Sequence, residues 1–405
     1  MRVLLVHNYY GSSAPSGENT VFELEKSLLE EHGHEVEVFT RHSDDIRKQG
    51  LVGVLRGGLS TAWNPFMARF TKRYVASFRP DVVHVHNTFP LISPSIFSAI
   101  GNTCATVLTL HNYRLFCPAG IPMRNGFICT KCIDTRTIRH SVFHGCYRGS
   151  RVATLPVATN VALHRGLRTW DRHVDAFIAL SSFQKELMSA GGLPSDKIEV
   201  KPNYYPGNPS VRPLERRPER VVFVGRLSEE KGIKTIIKAW KTWGSTAPEL
   251  RLIGDGPMRE EVMQSIADLP ITLLGPLPQD KTEEEISNAR MLVLPSQWFE
   301  GFPLVLREAF AYGTPVAVSD IGPLRDIVGE GEIGSQAGVS FRSGDPDAWC
   351  EGLRSIFSSN STLNSLSAGG RMRFETLYND HKNYEILMSI YENAILRNKN
   401  GFVME

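Results

Sequence analysis

The chain has 405 residues, 41% of them hydrophobic and 22% charged, with a formal net charge of +2. That length exceeds what one hydrophobic core ordinarily supports and points to two domains, while the near-neutral balance excludes a general drive toward nucleic acid. No run reaches the ~18 consecutive apolar residues of a membrane span, Met1–His7 reads as a strand and not as a signal-peptide core, and six cysteines do not suggest a secreted disulfide scaffold, so a cytoplasmic protein is expected.

Strands and helices alternate from the first residue. Arg2–His7 is an expected buried strand, Glu18–Glu31 a helix and Glu35–Phe39 a strand, and Asp81–Val85, Thr106–Leu110, Asp175–Leu180 and Lys197–Lys201 continue the series. This is the βαβ pattern of a parallel, doubly wound sheet, whose ligands lie beyond the carboxyl ends of the strands. The loop after the first strand ends in Ser16-Gly17 at a helix start, where backbone can approach a phosphate or sugar closely. Residues 41–80 mix Arg47, Lys48, Arg56, Arg69, Lys72 and Arg73 with Leu51, Val52, Val54, Leu55, Leu59, Trp63, Phe66, Phe70 and other large apolar groups. Such a segment suits either a helix pair packed on the sheet or a basic amphipathic surface for an anionic bilayer. His84 and His86 alternate onto one strand face, His84 as a satisfied core group and His86 at the strand end, and His111 ends the following strand.

Cys117, Cys129, Cys132 and Cys146 crowd into 30 residues, with the Cys129-x2-Cys132 spacing of a zinc knuckle and Asn125-Gly126 supplying a tight turn before it. The expectation is a structural zinc that orders an insert at about 112–150; reduced thiols, an iron–sulfur cluster and a Cys3His site using His140 or His144 are the alternatives. Cys104 and Cys350 read as small apolar residues.

Prolines, Asn203, Gly207 and charged residues make 202–218 a linker. The alternation restarts with strands at Arg220–Val224, Glu249–Ile253, Ile271–Leu274, Met291–Leu294 and Pro315–Val318, and Asp345 caps a helix running toward Ser358. The first of these strands breaks at Gly225 and continues Arg226-Leu227-Ser228-Glu229-Glu230-Lys231-Gly232 into the helix Ile233–Trp240, placing two cations beside a glycine turn and a helix start. Farther on, Glu300-Gly301-Phe302-Pro303-Leu304 opens a helix over Leu304–Tyr312 that carries Glu308, so Glu300 stands outside the helix N-terminus and Glu308 on its wall.

Together these two segments resemble the retaining GT-B glycosyltransferases of family 4. The resemblance implies two Rossmann-like domains facing each other across a cleft: residues 1–203 on the acceptor side, 204–378 binding the nucleotide sugar, and a helix over 379–405 that crosses back to the first domain, with 398–405 frayed. It implies catalytic roles for Arg226 and Lys231 as a diphosphate clamp, for Glu300 against the transferred sugar and for His111 as a hydrogen-bond partner of a sugar hydroxyl. Gly17, Gly225, Gly301, Phe302 and Leu304 would line the donor, with Glu308 on the ribose hydroxyls. The family's Gly-Gly turn is Ser16-Gly17 here. The implied reaction is transfer from a UDP-, GDP- or other nucleotide sugar without catalytic cofactor or metal to a lipid-linked or saccharide acceptor, in cell-surface polysaccharide or glycolipid assembly, with peripheral membrane association. An epimerase or hydrolase on the same scaffold, or a non-catalytic sugar-nucleotide-binding partner, is the alternative.

Overall fold

A computed structural model describes residues 1–11, 16–48, 53, 57–58 and 60–401. Of the sequence features above, loop residues 12–15 and Leu51, Val52, Val54, Leu55, Arg56 and Leu59 lie outside the described residues, as do the side chains of Arg47 and Lys48.

The chain divides into two units, one formed by Met1–Pro122, Cys129–Pro202 and the segment from Asn383, the other by Met123–Ile128 and Asn203–Lys382. In the first, β1 (Arg2–Tyr9), β2 (Glu35–His42), β3 (Val82–Asn87), β4 (Ala105–Thr109), β7 (Ala176–Ala179) and β8 (Ile198–Val200) form one parallel sheet in the order β2-β1-β3-β4-β7-β8. Val3, Leu4, Leu5 and Val6 are all fully buried, the signature of a strand covered on both faces. The helix Gly17–Glu31 starts on Ser16, whose hydroxyl accepts the Glu18 N–H at 3.3 Å. Serine in place of the first glycine therefore caps the helix.

The last helix, Asp380–Gly401, sends Leu387, Ile390, Tyr391 and Ala394 into the same core as Val3, Leu5 and Phe22. The fraying expected from Asn398 onward does not hold for 398–401: the helix continues there, and Asn398 donates to the Cys104 carbonyl at 3.3 Å and to Asp175 at 3.4 Å. Those acceptors, far away in sequence, give the helix end the partners that a frayed terminus lacks.

In the second unit β9 (Arg220–Val224), β10 (Glu249–Ile253), β11 (Ile271–Gly275), β12 (Met291–Leu294), β13 (Val316–Ser319) and β14 (Gly338–Phe341) form a parallel sheet ordered β11-β10-β9-β12-β13-β14. β14 was not anticipated: it is a four-residue edge strand with three half-buried positions, too short and too polar to carry a periodicity signal. The 202–218 stretch is no loose linker. Arg217 is buried in it and donates to the carbonyls of Arg212, Ala289 and Tyr312 and to Thr314 Oγ1, all at 2.7–2.9 Å. Five short bonds from one guanidinium tie proline-rich chain to the unit. The strands β5 (Met123–Arg124) and β6 (Phe127–Ile128) pair antiparallel about Asn125 (φ 51°) and Gly126 (φ 77°), the two left-handed residues that a tight hairpin requires.

Candidate functional site

The order of the second sheet reverses between β9 and β12, and in such sheets the crevice at the carboxyl ends of those two strands takes the ligand. Both sequence motifs sit there, Gly225–Gly232 after β9 and Glu300 after β12. Gly232 joins them: its φ is +70°, and a Cβ on it would lie 1.8 Å from the Pro295 carbonyl oxygen. Only glycine lets the turn lie so close to the end of β12. Lys231, one residue earlier, thereby places Nζ 2.6 Å from Glu300 Oε1, which also accepts from Ser296 Oγ at 2.6 Å, while the ammonium lies 5.3 Å from the centre of the Trp298 ring. The side chains of Lys231 and Glu300 are 20% and 6% exposed, so this ion pair is largely withdrawn from solvent.

The neighbouring turns are held by glycines too. A Cβ on Gly254 would meet the Gly225 carbonyl at 2.0 Å, and one on Gly256 the Leu227 carbonyl at 2.4 Å. Gly225 differs: a Cβ there would meet nothing closer than the Phe223 ring at 3.5 Å, so packing within the chain does not demand glycine. Arg226 is exposed on the same turn. Leu304–Ala311 is helical with Pro303 as N-cap and no side-chain cap, so no side chain of the cap residue takes up its first N–H groups. Glu308 is nearly buried, accepts from Gln279 Nε2 at 3.3 Å, and is pushed above the ordinary carboxylate range by burial, against the pull of Arg307. Gly301 and Leu304 are half-buried, whereas Phe302 is buried with its ring against Tyr378 and its carbonyl accepting from Asn203. The Phe302 side chain is thus core.

In the first unit, His111 is half-buried at the end of a chain of buried polar groups. Its Nε2 lies 3.0 Å from His86 Nδ1, and His86 Nε2 lies 3.2 Å from Glu25 Oε1. Glu25 Oε1 is also 2.8 Å from His84 Nδ1, and its Oε2 accepts from Lys201 Nζ at 2.8 Å. Lys201 donates onward to Asn383 Oδ1, and His84 bonds Tyr391 and Thr109. Burial pushes the Glu25 carboxyl up, but Lys201 with His84 and His86 more than reverses this and holds it well below the ordinary range. Glu25, His84 and His86 are, among the described residues, the one group whose donor atoms cluster closely enough for a metal ion. The Lys201 ammonium already neutralises that carboxylate as a buried ion pair. Beside it, Asn112 Nδ2 donates to Glu18 Oε1 at 2.8 Å next to Ser16-Gly17, and Glu18 is raised by burial. His111, Asn112 and Arg114 line a pocket of this unit with Thr88 and Phe89.

The cysteines are drawn together only in part. Burial pushes Cys117 up to about 12, with Cys132 adding to it, and Cys132 is raised by burial with Cys129 nearby. No three of these thiols, nor His140 or His144 with them, lie within 4.8 Å of one another, so the closed tetrahedral set that the spacing predicts is not formed as such.

Sequence reasoning did not single out Ser296, Trp298, Glu25 or Lys201. A signal existed for Glu25, which stands among Val21, Phe22, Leu28 and Leu29 on the buried stripe of its helix. A carboxylate at a core position of a helical period implies a buried partner.

Residues 17–205 match the family described as Glycosyltransferase Family 4, and residues 208–373 that described as Glycosyl transferases group 1. A sulfoquinovosyl transferase of Arabidopsis thaliana is 24% identical over 311 residues, covering 74% of this chain and 54% of that protein. An amylovoran biosynthesis glycosyltransferase of Erwinia amylovora is 26% identical over 234 residues, covering 54% of this chain and 56% of that protein. The chain spans little more than half the length of these relatives. Among solved structures, Anabaena HepE in complex with UDP aligns with a TM-score of 0.62 at 17% identity over 97% of this chain and 100% of that one, a likeness of fold.

Proposed function

Because the chain belongs to the GT-B glycosyltransferases of the family 4 type, we propose that it transfers a sugar, with retention, from a nucleotide-sugar donor to a hydroxyl acceptor in the assembly of a polysaccharide or glycolipid. The observation that carries this reading is the Lys231–Glu300–Ser296 constellation pinned by Gly232 at the β9/β12 switch point. A cation, a carboxylate and a hydroxyl converge where a doubly wound sheet binds its ligand, which suits a diphosphate joined to a sugar.

In this reading Arg226 and Lys231 stabilise the charge that develops on the leaving diphosphate, doing with side-chain cations what a metal ion does in other transferases. Glu300, already oriented by Lys231 and Ser296, takes hydroxyls of the transferred sugar, and Glu308 takes the ribose hydroxyls. Gly225, Gly301 and the backbone of Phe302 and Leu304 line the donor. On the first unit, His111 bonds a sugar hydroxyl and Gly17 opens the helix start beside it. The UDP in the Anabaena structure supports a UDP-sugar donor, with GDP-sugars next. A zinc held by Cys117, Cys129, Cys132 and Cys146 would be structural, and it requires the sulfurs to close in from the positions described.

No helix among the described residues is long and apolar enough to cross a membrane. A cytoplasmic protein that docks peripherally fits the surface of the helix Pro65–Phe78, where Phe66 (71% exposed) and Phe70 share a face with Arg69 and Arg73, and Trp63 stands just before it. Incubation with a panel of labelled nucleotide sugars, with and without lipid-linked and soluble acceptors, tests the function. Acceptor-dependent release of nucleoside diphosphate is expected; turnover independent of any acceptor would point instead to an epimerase or hydrolase, and binding without turnover to a non-catalytic role.

A further inference from the structure

His111 is reached by a chain of contacts that begins at a charge no solvent touches. Glu25 is 1% exposed and ionised beside the Lys201 ammonium. Its Oε1 stands 3.2 Å from His86 Nε2. The contact falls short of hydrogen-bond geometry, yet the negative charge so close in a low-dielectric interior favours the tautomer that carries the His86 proton on Nε2, the nitrogen nearer the carboxylate. His86 Nδ1 is then an acceptor. At 3.0 Å from it, His111 Nε2 has to be the donor, which strips His111 Nδ1 of its proton.

We propose that Glu25, acting through His86, fixes His111 as the tautomer protonated on Nε2, so that His111 meets a ligand only as an acceptor through Nδ1. Glu25 and His86 are positioning residues in this scheme, and His111 selects a hydroxyl or another hydrogen-bond donor and rejects an oxyanion such as a carboxylate or phosphate. The statement about the ligand rests on the reading of His111 as a sugar contact; the statement about the tautomer does not. Applied to the donor, it excludes a uronic-acid carboxylate at the position that His111 reads and calls for a neutral hydroxylated one.

The surroundings agree. The groups facing the two imidazoles are Glu25 from the helix Gly17–Glu31, His7 from β1, His84 from β3, Lys201 after β8 and, against His84, Tyr391 from the last helix. Burial, reinforced by the neighbouring imidazoles, lowers His86 to about 4 and His111 well below the ordinary histidine range, so both rings are neutral near pH 7 and their tautomers are defined. His84 is occupied on both nitrogens by Tyr391 and Thr109, which leaves His86 as the link from Glu25 to His111.

Long-range proton–nitrogen NMR spectra of the full-length chain labelled with ¹⁵N-histidine read the tautomer directly, with the His111 signals identified by their loss in His111→Gln. One tautomer is expected for His111 at pH 7, Nε2 protonated and Nδ1 bare. The opposite tautomer, or averaged nitrogen shifts, would overturn the proposal. The variant Glu25→Gln with Lys201→Met removes both buried charges together and so leaves no orphaned ammonium; in it His111 should populate both tautomers, whereas an unchanged Nε2-protonated ring would overturn the role of Glu25. A purely structural role would change stability without moving the tautomer. If the double variant does not fold, the wild-type spectrum alone decides. Failure to find any sugar transfer would sink the proposed function and leave this measurement standing.

Discussion

Lys231 Nζ lies 2.6 Å from Glu300 Oε1, so the cation expected to clamp a diphosphate and the carboxylate expected to touch a sugar form one ion pair. Removing either leaves the other as a poorly compensated, largely buried charge. Lys231→Ala and Glu300→Gln should each lower kcat/KM by about 10²–10³, and the double variant should lose much less than the product of the two losses. A double-mutant cycle on the transfer reaction checks this. Fully additive losses would mean that the two side chains work independently.

Two glycines of the same turn should behave in opposite ways. Gly232→Ala forces a Cβ to 1.8 Å from the Pro295 oxygen at φ +70° and should unfold or displace the turn, abolishing nucleotide binding. Gly225→Ala meets only the Phe223 ring at 3.5 Å, so unfolding free energy should change by less than about 1 kcal/mol while nucleoside diphosphate affinity falls. Chemical denaturation and calorimetric titration separate the two. Normal affinity in Gly225→Ala would mean that no ligand approaches that backbone.

His7 and His86 are both lowered to about 4, first by burial. An imidazole whose pKa falls on folding stabilises the fold fully above its unfolded value of 6.5, and the contribution drains away as pH drops toward 4 and the unfolded chain alone takes up the proton. Each accounts for about 3 kcal/mol by this linkage. Glu25, held low, acts in the same direction at still lower pH. Urea unfolding measured from pH 7.5 down to 4.5 should show a steep loss of stability; a flat profile would mean that these rings are not buried neutral.

The cysteine-rich insert should carry one zinc per chain in protein purified without added metal, and chelation should loosen the insert without abolishing nucleotide binding to the second unit. Elemental analysis with thiol titration decides. Metal content near zero, with four freely reacting thiols in the folded protein, would return Cys117, Cys129, Cys132 and Cys146 to ordinary reduced side chains.

If the acceptor is lipid-linked, the protein should co-sediment with anionic vesicles at low salt and release as ionic strength rises. Phe66→Glu, on a side chain that is 71% exposed, should abolish binding without loss of stability. Absence of vesicle binding at low salt would favour a soluble acceptor.

Local physics was legible in the linear chain. Apolar strands alternating with helices specified two parallel sheets, because such strands must be covered on both faces; Pro303 marked a helix start, and Asn125-Gly126 marked a tight turn, which forms with both residues at positive φ. Gly225 announced a glycine turn with two cations before a helix start, though not that Gly232 serves packing while Gly225 leaves space open. The partners were decided only by tertiary structure. Glu25 meets Lys201 across 176 residues, and Lys201 meets Asn383 across 182 more, because the sheet order sets which strand ends and helices become neighbours. Arg217, whose surrounding composition reads as linker, is buried because the distant carbonyls of Ala289 and Tyr312 converge on it together with that of Arg212 nearby. A period along the chain shows which face of an element is inside, but the charge that waits there belongs to another element, and register and strand order alone bring the two within hydrogen-bonding reach.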